Sequence, residues 1–339
     1  MRFPIFAILS LAGASFAAGQ TAGLSGPVEA FTFDPPTASI RAVMGFPGAA
    51  SFGSAILGGI EWASVAPQRD YALAFQNGNF QVVTGLSTGA ASTLAVSGVT
   101  RVPESISWSA DGTFAVLTSA SAGWLQTLSG LPSNPAPGSY IDVSALGGSL
   151  TAVALDTTGA HIAIALSGGQ SGVYLMTASQ AFAPVATLAN PVAVSFSTDG
   201  KQLFAIDAAS KQLATVLLSN LSFQTAPLDG LADPFAVQES ASRIYVASRS
   251  DRLVRELDAS GTEIADLRLL FSPTGILPFG ANSLLIASRI QATDPLWLLT
   301  NGTQPTAYFV PAIPQTIGKP RPGKLNPAPP TPVSGERGR

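Results

Sequence analysis

The chain has 339 residues, a formal net charge of −3, one histidine and no cysteine. Without cysteine there are no disulfides, thiol nucleophiles or thiolate metal sites, and a single histidine rules out a histidine-cluster metal centre. With 46% apolar residues, a chain of this size buries a core without covalent staples.

Residues 1–19, MRFPIFAILSLAGASFAAG, place Arg2 before an apolar run that ends in small residues. Ser15-Phe16-Ala17 or Ala17-Ala18-Gly19 supplies a small-x-small cleavage site, so this stretch reads as a secretory signal peptide. The protein is therefore expected to be exported, periplasmic or extracellular. No later stretch is long and apolar enough to span a bilayer, so the mature chain is expected to carry no transmembrane segment.

Residues 20–318 read as one β domain. VEAFTFD (Val28–Asp34) and SIRAVMG (Ser39–Gly45) are strand-like and joined by Pro35-Pro36. They have the form of an outer hairpin that helps to close a ring. A repeat begins near Gly59. Its copies anchor on Trp62, Trp108, Leu155, Phe196, Val237 and Leu277, at spacings of 46, 47, 41, 41 and 40 residues. Each copy holds short runs rich in Val, Ile, Leu, Phe, Thr and Ala, without a helical stripe. Four short strands per ~40–45 residues make the blade of a β-propeller. The predicted fold is all-β, a propeller of six or seven four-stranded blades.

The chemistry within the unit agrees. FAVLTS (from Phe114), HIAIALS (from His161) and LFAIDA (from Leu203) are nearly continuous apolar runs, as strands buried on both faces require. Asp111-Gly112, Thr158-Gly159 and Asp199-Gly200 mark tight turns between first and second strands. Pro103, Pro191, Pro234 and Pro273 each sit just before a first strand, where a missing N–H costs no ladder bond. The four tryptophans, Trp62, Trp108, Trp124 and Trp297, fall on strands and read as core packing.

Residues 319–339, KPRPGKLNPAPPTPVSGERGR, are proline-rich and lack apolar period, so a disordered tail is expected. The tail carries five basic residues and one acidic, net +4. With Arg2 also set aside, the body is left at −8. An acidic body argues against nucleic acid as a partner.

The stretch Pro191–Asp207, PVAVSFSTDGKQLFAID, resembles the YVTN-type and related lactonase-like propeller repeat, P-x-x-(V/I)-x-x-(S/T)-x-D-G. The likeness runs from about Gly59 to Leu299 and weakens in the last two copies, which lack Asp-Gly. The resemblance implies a propeller and no single activity. It also implies a channel in which a divalent cation is held by Glu, Asn and Asp. Glu61, Glu104, Asn190 and Asp233 are the matching candidates, since the links leading into first strands share one propeller face. Apart from that cation, no cofactor is expected.

One more constellation comes from the residues themselves. Asp207, Arg249 and Arg289 each end a second strand, and Ala247-Ser248-Arg249 recurs as Ala287-Ser288-Arg289. Second-to-third-strand loops open on the face that carries the links, so Arg249 and Arg289, with Arg252 and Asp207, are expected side by side on one rim. Two guanidinium forks there would grip a carboxylate or sulfate. The functional expectation is a non-catalytic exported propeller that binds a protein or envelope component through one face. The alternative is a lactonase-like, metal-dependent hydrolase using the channel.

Overall fold

The computed structural model describes residues 26–176, 181–281, 283–301 and 304–313. The expected signal peptide and the tail from residue 319 lie outside the described residues. Among the described residues, secondary structure is almost wholly β, with two 3-10 turns at Pro35–Thr37 and Ser144–Leu146.

Seven antiparallel sheets follow one another along the chain, each built from consecutive strands. Blade I holds β1 (Val28–Asp34), β2 (Ser39–Met44) and β3 (Ser51–Gly58). Blade II holds β4 (Trp62–Val65), β5 (Tyr71–Gln76), β6 (Asn79–Thr84) and β7 (Ser92–Ala95). Blade III holds β8 (Ser105–Trp108), β9 (Ala115–Ser119), β10 (Trp124–Ser129) and β11 (Ala136–Asp142). Blade IV holds β12 (Ser149–Leu155), β13 (Ile162–Ser167), β14 (Gly172–Met176) and β15 (Phe182–Ala186). Blade V holds β16 (Pro191–Phe196), β17 (Gln202–Asp207), β18 (Gln212–Leu217) and β19 (Ser222–Pro227). Blade VI holds β20 (Pro234–Ser240), β21 (Arg243–Ser248), β22 (Leu253–Leu257) and β23 (Glu263–Arg268). Blade VII holds β24 (Leu277–Phe279), β25 (Ser283–Ala287), β26 (Leu296–Thr300) and β27 (Ala307–Val310).

The six sequence repeats are blades II to VII. The stretch read as an outer hairpin adds a third strand, β3, and forms blade I, so the ring has seven blades rather than six. The core shows how the ring closes. It divides into seven apolar clusters, one at each contact between neighbouring blades. One of them joins Val43 and Ala50 of blade I to Phe279, Leu298, Tyr308 and Val310 of blade VII.

Burial falls off from the middle of each blade outward. The apolar runs of β9, β13, β17 and β21 are buried almost throughout, whereas the Ser/Thr-bearing β7 and β19 face solvent. Trp124 is buried between blades II and III, and Trp62 and Trp108 pack against the same cluster.

The turns between first and second strands use the chemistry read in the sequence. Ser197 N–H donates to Gln202 O, its hydroxyl donates to Asp199 Oδ1, and Lys201 N–H donates to the same carboxylate oxygen. In blade IV, Asp156 stands where blades III and V have Ser109 and Ser197. Gly159, at φ +75°, lies so close to the Phe114 ring that a Cβ would come within 2.5 Å of it. Blade VI lacks Asp-Gly. It turns on Ala241 and Ser242 alone, both left-handed at φ +52° and +61°, the backbone of a type I′ hairpin.

Candidate binding face

The links between blades and the second-to-third-strand turns lie on one face, and the candidates for a cation site all sit there. They occupy equivalent places, and each is engaged within its own blade with a partner 17 residues on. Glu61 accepts from Gly78 N–H at 3.4 Å. Glu104 accepts from Ser121 N–H at 3.2 Å and from the Ser121 hydroxyl. Asn190 N–H donates to Asp207 Oδ1 at 2.9 Å. Asp233 accepts from the Ser250 hydroxyl at 3.4 Å. The four form one repeating clasp that ties the link to the turn of the same blade. The Ser121 hydroxyl and amide hold the Glu104 carboxyl below the usual carboxylate range. Among the described residues, no three Asp, Glu or His side chains gather to hold a metal.

Asp207 is the most fully engaged member. It accepts from Ala189 N–H at 3.0 Å, Ala209 N–H at 3.1 Å and Ser210 Oγ at 2.8 Å, in addition to Asn190. Burial pushes its carboxyl up, but these donors outweigh burial and leave it below the usual range. It is a structural cap with no acceptor turned to the rim.

The two arginines of the repeated Ala-Ser-Arg tripeptide have opposite fates. Arg249 is exposed. Its guanidinium lies 4.1 Å from the centre of the Phe235 ring and 3.7 Å from Asp233. Arg289 is buried and does not share a rim with it. Its Nη1 donates to Asp34 Oδ1 at 2.8 Å, and its Nε and Nη2 donate to the carbonyls of Asp294 and Ala292. The expected pair of forks is thus corrected: one fork is spent on the seam between blades VII and I. The reason is Asp34, a buried carboxylate that claims Arg289, whereas Arg249 meets only the half-buried Asp233.

What remains open on this face is a cationic and apolar surface. Arg252, exposed and left-handed at φ +54°, makes no ion pair among the described residues. Its carbonyl accepts from Leu269 N–H at 2.7 Å. That bond sets the next residue, Leu270, 92% exposed, beside the Arg249–Arg252 turn. Ile290, 74% exposed, follows Arg289 in the second-to-third turn of blade VII. Sequence reading passed over Leu270 and Ile290. The available signal was two large aliphatic residues in loops.

The lone histidine sits on the opposite face, where first strands turn into second strands. His161 Nδ1 lies 2.7 Å from Asp156 Oδ2, and the ring is half exposed. Burial raises the Asp156 carboxyl, but the hydrogen bonds from His161 and the turn outweigh it and leave it lowered.

No protein-family model matches the chain, and no curated protein matches it. Solved structures do. It is similar to a streptogramin B lyase at 12% identity and TM-score 0.55, over 79% of this chain and 85% of that one. It is similar to virginiamycin B lyase from Staphylococcus aureus at 9% identity and TM-score 0.53, over 86% and 96%. The β-propeller domain of Myceliophteria thermophila Cps50 (Swd1) matches at 12% identity and TM-score 0.54, over 75% and 85%. At these identities the likeness is one of fold: the chain is a seven-bladed β-propeller.

Proposed function

We propose that this chain is an exported, non-catalytic propeller of the YVTN-like kind that binds a protein partner through the face carrying the links, at blades VI and VII. The observation that carries the reading is the exposure of Leu270, beside the Arg249–Arg252 turn, and of Ile290, in the second-to-third turn of the next blade. Large aliphatic side chains held in water gain by burial against a partner, about 25 cal/mol per Å². The neighbouring cations would set orientation and association rate. Export rests on the leader-like residues 1–19. The test compares the purified chain with Leu270→Ser/Ile290→Ser as bait for envelope proteins. A protein retained by the first and lost by the second, at equal Tm, supports the reading. Identical retention by both overturns it.

The alternative is a lactonase-like hydrolase with a cation in the channel. Its support is Glu61, whose exposed carboxylate is held by one long hydrogen bond. A cation at 100 times its Kd raises stability by about 2.7 kcal/mol. A rise in Tm with Ca²⁺, Mg²⁺, Mn²⁺ or Zn²⁺ that EDTA reverses and Glu61→Gln abolishes would put this reading first.

A further inference from the structure

Glu29 differs from the other carboxylates of the chain in how it is held. It is the extra residue of a β-bulge in β1: Val28 faces Met44, Ala30 faces Val43, and Glu29 is left out of the register. A bulge of this kind re-aims a side chain. Glu29 Oε1 accepts from the Ser283 hydroxyl of blade VII at 2.7 Å and from the Tyr308 hydroxyl of the same blade. Both donors are buried, and their oxygens lie 2.9 Å apart. Burial and the bond to Glu29 raise the Tyr308 phenol above its ordinary range, so it stays a donor near neutral pH. Oε2 is buried as well, yet among the described residues no group donates to it. Nearly all buried polar atoms are paired, so an unpaired carboxylate oxygen calls for a partner.

Glu29 lines a cavity of about 450 Å³ between blades I, II and VII. The cavity lies among the Val65–Asp70 and Pro278–Ala281 turns, on the face where first strands turn into second strands. That is the face opposite the links. Val28, Phe31, Val65 and Phe279 give it an apolar wall, and its size suits a small molecule, for which pockets run to roughly 300–1,000 Å³. The blade VII turn comes close to the bulge: a Cβ at Gly280, φ +62°, would stand 2.6 Å from the Glu29 carbonyl oxygen. Among the described residues, the other charged groups of the lining are Arg69 and Asp70. Arg69 Nε donates to Asp111 O of blade III at 2.6 Å, and Asp70 accepts from Ser87 N–H. These two charges cancel, so Glu29 leaves the lining with a net negative charge.

We propose that this cavity binds a small organic cation, a primary amine on an apolar body, with its ammonium on Glu29 Oε2. A carboxylate oxygen has two acceptor sites. Ser283 and Tyr308 fill both on Oε1, which leaves no place for the second arm of a guanidinium fork. An ammonium needs only one open oxygen, and Oε2 supplies it. The apolar wall takes the body of the ligand out of water. A neutral alcohol of the same shape gains the wall without the charge, and an anion is repelled by Glu29. This site does not depend on the partner face at blades VI and VII.

The test is calorimetric titration of the full chain with 4-phenylbutylamine, 4-phenylbutanol and 4-phenylbutanoate at pH 7. The amine should bind about 10–100-fold more tightly than the alcohol, the difference made by a hydrogen bond between charged groups. The carboxylate should not bind. In Glu29→Gln the amine should fall to the level of the alcohol, while the alcohol keeps its affinity, which also shows that the cavity is intact. A second variant leaves Glu29 in place: Ala281→Leu, at an exposed lining position, narrows the cavity and should weaken amine and alcohol together. Equal affinity for amine and alcohol in the native chain would overturn the proposal. So would unchanged amine binding in either variant, or no amine binding at about millimolar concentration.

Discussion

Arg289 and Asp34 stand 255 residues apart in sequence and 2.8 Å apart in space, with side chains 1% and 0% exposed. This ion pair spans the seam where the last blade meets the first. Phe52 lies under the guanidinium at 5.0 Å, and the carbonyls of Ala292 and Asp294 take two more of its donors. Removing Asp34 strands the buried Arg289 charge, which costs about 3–5 kcal/mol, whereas removing Arg289 leaves Asp34 with Arg41 at 3.6 Å and the Thr37 hydroxyl. Asp34→Ala should therefore lower stability by about that amount in denaturant titrations, and Arg289→Ala by less. The double variant should cost clearly less than the two single losses added. Full additivity would mean that the two side chains do not act as a pair.

Acid should unfold the ring through its caps. Asp207 and Asp156 are held below their ordinary pKa, and hydrogen bonds from Ser197 and Lys201 lower Asp199 to about 2. A depressed carboxyl contributes stability that is fully present above its unfolded value near 4 and lost as pH falls through its folded value. We expect Tm to be flat between pH 7 and 5 and to fall below about pH 4. Asp207→Asn should lower Tm at pH 7 and flatten the acid limb. An unchanged acid limb in that variant would remove Asp207 from the account.

The blade VI hairpin carries two strained residues. Ala241 and Ser242 both sit at positive φ, where a side chain costs about 1–2 kcal/mol relative to glycine. Replacing Ala241-Ser242 by Asn-Gly supplies the residues that a type I′ turn favours. The gain should be about 1 kcal/mol, read as a higher midpoint in urea with unchanged slope.

Gly159 meets the opposite constraint. A methyl group there would enter the Phe114 ring across the contact between blades III and IV. Gly159→Ala should cost about 2 kcal/mol or more, since strain at positive φ adds to the clash. Phe114→Leu should recover part of that loss, and no recovery would assign the whole cost to the backbone.

Local features were legible in the sequence. Ser197-Thr198-Asp199-Gly200 announces its turn because serine, aspartate and glycine do their work within six residues. The apolar run from Leu203 announces a strand buried on both faces. The blade count was not legible, because blade I lacks both the Asp-Gly turn and a first strand among the described residues. Nor was the fate of Arg289. Ala-Ser-Arg reads the same at Arg249 and Arg289, and only the fold brings Asp34 to one of them. The four cation candidates each stand just before a first strand. The clasp that engages them was hidden because it repeats at 17 residues, a distance that no local pattern covers.

That clasp lies wholly inside each of blades II, III, V and VI. Its acceptor and donor travel together when a blade is copied or removed, and neighbouring blades need no matching change on that face. A blade is in this respect a cassette, and gene duplication acting on whole blades would leave the rim intact each time. The Asp34–Arg289 lock spans blades and cannot be copied in this way. Growth of the ring is therefore easiest in its middle and most constrained at the seam.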